Sequence, residues 1–420
     1  MKISIIGAGS PYTPELIEGI AQMGEALPVS SIAMVDIDEA RLDIMHGFCQ
    51  RFARHLGLNA EITKTTDRKE AIIGSTFVCT QIRVGGNEAR VMDERIPLSM
   101  GLLGQETTGA GGFAKGLRTV PVMLEIARDV VALAPDAWII NYTNPSGMVT
   151  QAITLHCADA KIAGLCSGGF FPRNWAAEAL GVEREDIKYD YIGLNHLSFA
   201  YNMRKKYSYL TEEEFALVAE KAGDKDLAMK IGAIPSPYLS YYYHREKTLA
   251  EAKSRPQTRG EEVLQLQAQL NEAFSDPTVC TKPELLQKRG GGGYSEVATA
   301  VMDGIYNNRD IWVVANVENM ANLPFLPWKS VIEAPCTVNK YGLHPLNQHK
   351  PPESVWGLIS AVNNYELLTI EAALTGNRDT ALLALMAHPL VGDYDITEVL
   401  LEKILTANKN YLPNFFKPPS

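Results

Sequence analysis

The chain has 420 residues and a mass of 46.1 kDa, and its 46% hydrophobic and 21% charged composition is that of an ordinary globular protein long enough for two domains. A formal net charge of −10 and a pI near 5.4 exclude a nucleic-acid or anionic-membrane partner, because the global field repels both, and an anionic small ligand then requires a local cluster of arginines. No signal-type N-terminus or membrane-spanning apolar run is present, and the six cysteines are scattered without a CxxC pair, so a cytoplasmic protein with reduced thiols is expected.

The run KISII at residues 2–6, mostly β-branched and apolar, predicts a buried parallel strand, and GAGSPY follows it at once. Gly7 and Gly9 stand where a chain turns sharply and lets its backbone approach a pyrophosphate. The next helix, TPELIEGIAQM, then offers its first amides to the anion. Tyr12 occupies the place of the third glycine of a GxGxxG turn. A second strand, IAMVD, ends on Asp36, where a carboxylate accepts hydrogen bonds from an adenosine ribose; the alternative use of such an acid is to cap the helix that follows. Strand, glycine turn, helix, strand and acid together predict a dinucleotide site, and the acid favours NAD over NADP.

Further strands are predicted in STFVCTQIRV, AWIINYTNP and KIAGLCSGG, with helices such as VPVMLEIARDVVALA between them. This alternation over the first 190 or so residues predicts a doubly wound α/β domain. Arg83, Arg90, Arg95 and Arg118 punctuate it with planar forks suited to phosphate or carboxylate, although each alone reads equally as a surface charge. Asn144, held extended before Pro145, either faces a ligand or forms a plain Asx turn. Cys166 projects from the carboxyl edge of KIAGLC, and GLNHLSF puts Asn195 and His196 after a similar apolar run. A Cys and a His so placed are half of a metal site, or else a buried thiol and a satisfied imidazole.

From about residue 205 the rhythm changes. Residues near 205–290 carry Glu, Lys, Gln and Ala at helical spacing, IWVVANVENMANLP and SVIEAPCTVNKYG read as extended, and the stretch from Ser354 to Asn410 is helical again. The expectation is a mixed α+β second domain. In it, YLSYYYHR places Tyr238, Tyr241 and Tyr242 on one helical face, a core stripe unless a base lies near a phenol. Arg259 follows a second basic segment, and Gly290 to Gly293 reads as a flexible loop able to wall a site.

Taken in order, GAGSPYTPELIEGI, RVGGNEARVMDERIPLSMGLLGQETTGAGG, INYTNPSG, GLC, GLNHLSF, PYLSYY and QTRGEEV resemble glycoside hydrolase family 4 from residue 1 to the C-terminal helices, and PYTPEL is most similar to its 6-phospho-β-glucosidase branch. The resemblance implies an N-terminal Rossmann-like doubly wound parallel sheet over residues 1–195 that binds NAD. It implies a mixed α+β domain over 196–420 for substrate, metal and oligomerisation. The implied activity is glycoside hydrolysis by redox-assisted elimination, outside the usual two-carboxylate scheme. NAD oxidises C3 of the sugar, a base removes the acidified C2 proton, the C1–O1 bond breaks, water adds, and the hydride returns with no net oxidation.

By position, Cys166 and His196 resemble the ligands of a divalent metal, usually Mn2+, with the sugar's C2 and C3 oxygens completing the shell. Tyr238 matches the C2 base, Arg90 and Arg259 the pair that holds the 6-phosphate, and Asn144, Ser167 and Asn195 line up with the substrate. Gly7, Gly9 and Asp36 keep their cofactor roles. The implied substrate is a phosphorylated disaccharide or aryl glycoside, and the implied assembly a homodimer or homotetramer. Ser167 departs from the pattern, standing where Asn is common in phospho-β-glucosidases and Asp in phospho-α-glucosidases, which keeps α-linked, uronic and non-phosphorylated sugars as alternatives. Pro11 removes a hydroxyl and a backbone donor beside the pyrophosphate, and VENMANLP lacks an expected glycine. A plain NAD-dependent dehydrogenase of the 2-hydroxy-acid type shares the fold and the turn, but it releases NADH and needs neither Cys166 nor Tyr238.

Overall fold

KISII forms β1 (Lys2–Ile6), whose last four residues are all buried, as befits a strand covered on both faces. The description covers residues 1–289 and 293–416 of a computed structural model, and all but Gly293 of the predicted glycine loop Gly290–Gly293 lies outside them. β2 (Ser31–Val35), β4 (Phe77–Thr80) and β5 (Trp138–Asn141) share the buried pattern, whereas β3 (Glu61–Thr65), at the edge, buries only Ile62. With β6 (Lys161–Gly164) these strands run parallel in the order β3-β2-β1-β4-β5-β6, the doubly wound arrangement that the sequence predicts. The order reverses between β1 and β4. The chain therefore leaves the two strands toward opposite faces and opens a crevice at their carboxyl ends.

Between the strands, the helix Thr13–Met23 follows the glycine turn, and the helix Glu39–His55 starts at Asp38, whose carboxylate accepts from Arg41 N at 3.0 Å. Asp38 thus does the capping, which leaves Asp36 free for another use. The 25-residue helix Gly109–Leu133 runs along the sheet with its first twelve residues buried. Its glycines permit this: a Cβ on Gly111 would lie 2.2 Å from Gln105 O.

The second half builds no sheet of its own. β7 (Ile187–Leu194), β8 (Leu197–Lys205), β9 (Ser208–Tyr209), β10 (Ile234–Pro235), β11 (Ile311–Glu318), β12 (Val331–Asn339) and β13 (Gly342–Pro345) are antiparallel and extend the first sheet beyond β6 to thirteen strands. The joints are narrow, Asn316 pairing with Gly164 and Glu333 with Gly193. At the first joint Asn316 Nδ2 donates to Gly164 O at 3.1 Å, and a Cβ on Gly164 would strike Thr150 Oγ1 at 2.0 Å. The expected α+β character is therefore present as an antiparallel extension, and one apolar core runs through both halves. No described helix is long and apolar enough to cross a membrane.

Candidate active site

The crevice deepens into a cavity of about 940 Å³ lined from the carboxyl ends of the parallel strands and from the second half of the chain. Eight Lys and Arg side chains and only three carboxylates line it, a local excess of cations in a protein that carries a net −10. Such a wall draws anionic ligands from a surface that otherwise repels them.

One part of the wall is the glycine turn. Gly7 has φ +89°, and a Cβ there would lie 2.9 Å from the Gln81 carbonyl group, so the close approach of the β1 and β4 ends requires glycine. Gly9 N donates to Asp36 Oδ2 at 2.9 Å, while Asp36 Oδ1 accepts from Asp38 N at 3.1 Å and Arg41 Nη2 at 3.2 Å. Asp36 lines the cavity at the end of β2, and the capping alternative falls to Asp38. The expected free amides do not appear: each N–H from Gly7 to Thr13 has an internal acceptor, and Pro11 has none to give.

Cys166 stands two residues past the end of β6, and His196 lies in the turn between β7 and β8 at φ +66°. Thirty residues apart in sequence, they meet with Sγ 3.7 Å from Nε2. Thr107 Oγ1 holds His196 Nδ1 at 2.8 Å, which aims Nε2 at the thiol. Burial lowers the imidazole to about 4 and so keeps it neutral, and burial, reinforced by the negative charge of Glu333, pushes the Cys166 thiol up to about 12. The Tyr238 ring stacks on His196 with centroids 3.9 Å apart, and burial followed by the charge of Cys166 and Glu106 raises its phenol above the ordinary range. Two protein donors suit an open metal site whose remaining positions belong to substrate and water; no group of three or more such side chains exists among the described residues. A thiolate is softer than manganese chooses on its own, so oxygen from outside the protein has to dominate the shell.

The other predicted residues sort by geometry. Asn144 and Ser167 line the cavity, and Asn144 Oδ1 is buried without a hydrogen-bond partner among the described residues. Asn195 is not among the residues that line it; its side chain reaches Cys166, and its Nδ2 donates to Glu333 Oε1 at 3.0 Å. Arg90 and Arg259 both reach the cavity, Arg90 through pairs with Glu94 at 2.9 Å and Glu106 at 3.0 Å, Arg259 through Glu262 at 2.9 Å and the carbonyls of Lys288 and Arg289. Arg118 is a structural residue, buried in a bidentate pair with Asp93 at 2.7 and 2.8 Å, and Arg95 pairs with Glu261 at the surface. The tyrosine stripe is broken because Pro237 opens a separate 3-10 turn over Pro237–Leu239. Tyr242 then turns away to Thr108 Oγ1 at 2.5 Å and His388 Nε2 at 3.2 Å.

Three residues escape the sequence reading. Glu106 receives Arg83, Arg90 and Lys115 at once; Glu333, 2% exposed, is raised to about 7 by burial against hydrogen bonds from Asn195, Ser198 and Tyr191; and Arg289 lies in the wall with no ion-pair partner among the described residues. Only the acid in GQETTGAGG, placed just before a glycine-rich helix start, carried a local signal.

A model described as family 4 glycosyl hydrolase matches residues 2–181, and one described as the family 4 glycosyl hydrolase C-terminal domain matches residues 191–391. The chain is 38% identical to a probable 6-phospho-beta-glucosidase of Bacillus subtilis, over 99% of this chain and 98% of that one. It is 35% identical to a 6-phospho-beta-glucosidase of Escherichia coli, over 99% and 97%. In three dimensions it matches the 6-phospho-beta glucosidase of Thermotoga maritima, solved with NAD and glucose-6-phosphate, at a TM-score of 0.92 and 34% identity, over 98% of this chain and 99% of that one. The same Thermotoga protein has also been solved with manganese in place.

Proposed function

The chain belongs to glycosyl hydrolase family 4, and from that premise we propose that it hydrolyses 6-phosphorylated glucosides, β-linked by preference, with NAD and a divalent metal ion, manganese by preference, as cofactors. The observation that carries this reading is the meeting, in one cation-rich cavity, of a thiol and an imidazole 3.7 Å apart with a phenol stacked on the imidazole. A simple dehydrogenase has no use for that trio.

Bound NAD supplies a reversible hydride acceptor, and the bound ion supplies positive charge beside sugar oxygens on which negative charge develops. Cys166 and His196 are assigned to hold the ion, the imidazole being neutral and its free nitrogen already aimed by Thr107. Tyr238 is assigned to take the C2 proton. Its phenol is held protonated by burial and neighbouring negative charge, and a divalent charge beside it acts in the opposite direction. Asn144 Oδ1 is placed to accept from a sugar hydroxyl, Ser167 to lie near the scissile bond, and Arg90 with Arg259 to receive the 6-phosphate. Asn195 acts through Glu333, fixing the segment that carries His196. Gly7, Gly9 and Asp36 form the adenosine end.

Residues 1–195 are read as the NAD-binding part and 196–420 as the part completing the substrate site, since His196, Tyr238 and Arg259 join Arg90, Asn144 and Cys166 in one wall. Cytoplasmic residence agrees with six free cysteines, and the assembly is proposed as a homodimer or homotetramer, which sedimentation checks directly.

The test is hydrolysis of paired p-nitrophenyl α- and β-glucoside 6-phosphates with NAD and Mn2+ each supplied or withheld, following nitrophenol and NADH together. Nitrophenol from the β anomer, dependent on both additives and without NADH accumulation, is the expected result. NADH accumulation without nitrophenol refutes the proposal, and turnover of the α anomer alone refutes its stereochemistry.

A further inference from the structure

Among the described residues, seven of the eight cationic side chains in the cavity wall are paired with carboxylates and Arg289 is the exception. It is 8% exposed, and its Nε and Nη1 are buried with no hydrogen-bond partner among the described residues. A guanidinium left this way has the Tyr12 hydroxyl and the more distant charge of Glu106 but no ion-pair partner for its buried nitrogens, an expensive arrangement unless an anion completes it. Its position says which anion. The guanidinium carbon lies 5.0 Å from the centroid of the Tyr12 ring, and Tyr12 directly precedes the helix Thr13–Met23 at the end of the glycine turn.

That turn is short of donors. The amides of Gly7 and Ala8 go to Val35 O, Gly9 to Asp36, Ser10 to Gly7 O, Tyr12 to Ser10 Oγ and Thr13 to Ser10 O, and Pro11 has no N–H. A pyrophosphate lying over the turn carries two charges and finds backbone there whose donors are already spent.

We propose that Arg289 is the phosphate ligand of the dinucleotide, reaching from the second half of the chain across Tyr12 to supply the donors that the glycine turn lacks. The inference rests on NAD occupying this cavity. Its rival is the sugar 6-phosphate, because Arg259 Nη2 donates to the Arg289 carbonyl at 3.2 Å and brings the two arginines side by side.

ADP-ribose, adenosine and glucose 6-phosphate separate the cases, with binding to the full chain and to its Arg289→Met and Arg289→Lys variants measured by calorimetry or competition. The expected result is a loss of about ten-fold or more for ADP-ribose in Arg289→Met, partial recovery in Arg289→Lys, and unchanged adenosine and glucose 6-phosphate. Unchanged ADP-ribose affinity overturns the proposal, as does a loss confined to glucose 6-phosphate. Equal losses for adenosine and ADP-ribose in both variants indicate a packing role and overturn it too. A wild-type chain that binds neither ADP-ribose nor NAD overturns the cofactor reading itself.

Discussion

Replacing Lys115 with methionine is expected to make the ligand-free protein more stable and less active. Lys115 is 3% exposed, and its Nζ lies 2.9 Å from Glu106 Oε2, yet the same carboxylate also holds Arg83 and Arg90. Even with Glu94 on Arg90, two carboxylates face three cations. Burial, with Arg83 next, lowers the lysine from 10.5 to about 7, while the surrounding cations hold Glu106 well below the usual carboxylate range against its own burial. In the unfolded chain the lysine regains its ordinary value, so keeping it charged in the fold at pH 7 costs about 4 kcal/mol, at roughly 1.4 kcal/mol per unit. The sign follows from proton counts. Between pH 7 and 10.5 the unfolded state holds more protons than the folded one, so this cost shrinks as pH rises and is full and constant well below pH 7. Methionine fills a similar volume without the charge and leaves Glu106 two guanidinium partners. At about 2.1 cal/mol/K per residue, a cooperative unfolding of the 420-residue chain converts this gain to a rise in midpoint of roughly 4–5 °C at pH 7, falling to about half at pH 9. Scanning calorimetry of both proteins across pH 6 to 9.5 reads it. A variant less stable than wild type throughout, or a gap that ignores pH, refutes the reasoning. The activity loss, about ten-fold in kcat/KM, follows because the cavity gives up a cation it keeps at a cost to stability.

Tyr238→Phe preserves the ring stacked on His196 and removes only the phenol oxygen. Its kcat is expected to fall about 10²- to 10⁴-fold while Mn2+ and NAD dissociation constants stay within about two-fold, and a variant with full turnover removes Tyr238 as the base. Arg118→Met leaves Asp93 buried without its bidentate partner and frees Asn408 Oδ1 and Val84 O. Stability should drop by about 3–5 kcal/mol in denaturant titrations, with pocket-ligand affinities retained at low temperature. A loss below about 1 kcal/mol contradicts the structural role assigned to that arginine.

The parallel half was readable because its strands are covered on both faces and therefore apolar throughout, as in KISII and FVCT, and because helices of ordinary periodicity separate them. The strand IWVVANVE was equally readable as a strand, but its neighbour was not. Its pairing to β6 rests on Asn316 meeting Gly164 across about 150 residues, and local composition carries no trace of that contact. In the site, Cys166 and His196 were legible as residues delivered from strand ends, which is where such sheets bind ligands. The tyrosine stripe does not survive as one face because Tyr238 sits in a 3-10 turn while Tyr241 and Tyr242 sit in the separate short helix Ser240–Tyr243, a change of helix type that residue spacing does not reveal. Glu106 and Arg289 were missed for a different reason: their importance lies in an excess or lack of partners, which exists only once distant segments are assembled.

The two narrow joints in the sheet bear on how this enzyme can be re-engineered. Because β11 is laid against β6 through Asn316 and Gly164, and that glycine has no room for a side chain, the two halves meet as a fitted seam. Chimeras that exchange residues 196–420 with those of a relative, in order to import a new sugar preference, therefore have to bring an asparagine at position 316 to meet the Gly164 and Thr150 that the retained half keeps. A donor lacking it is expected to yield aggregated strands with open edges before its specificity can be read.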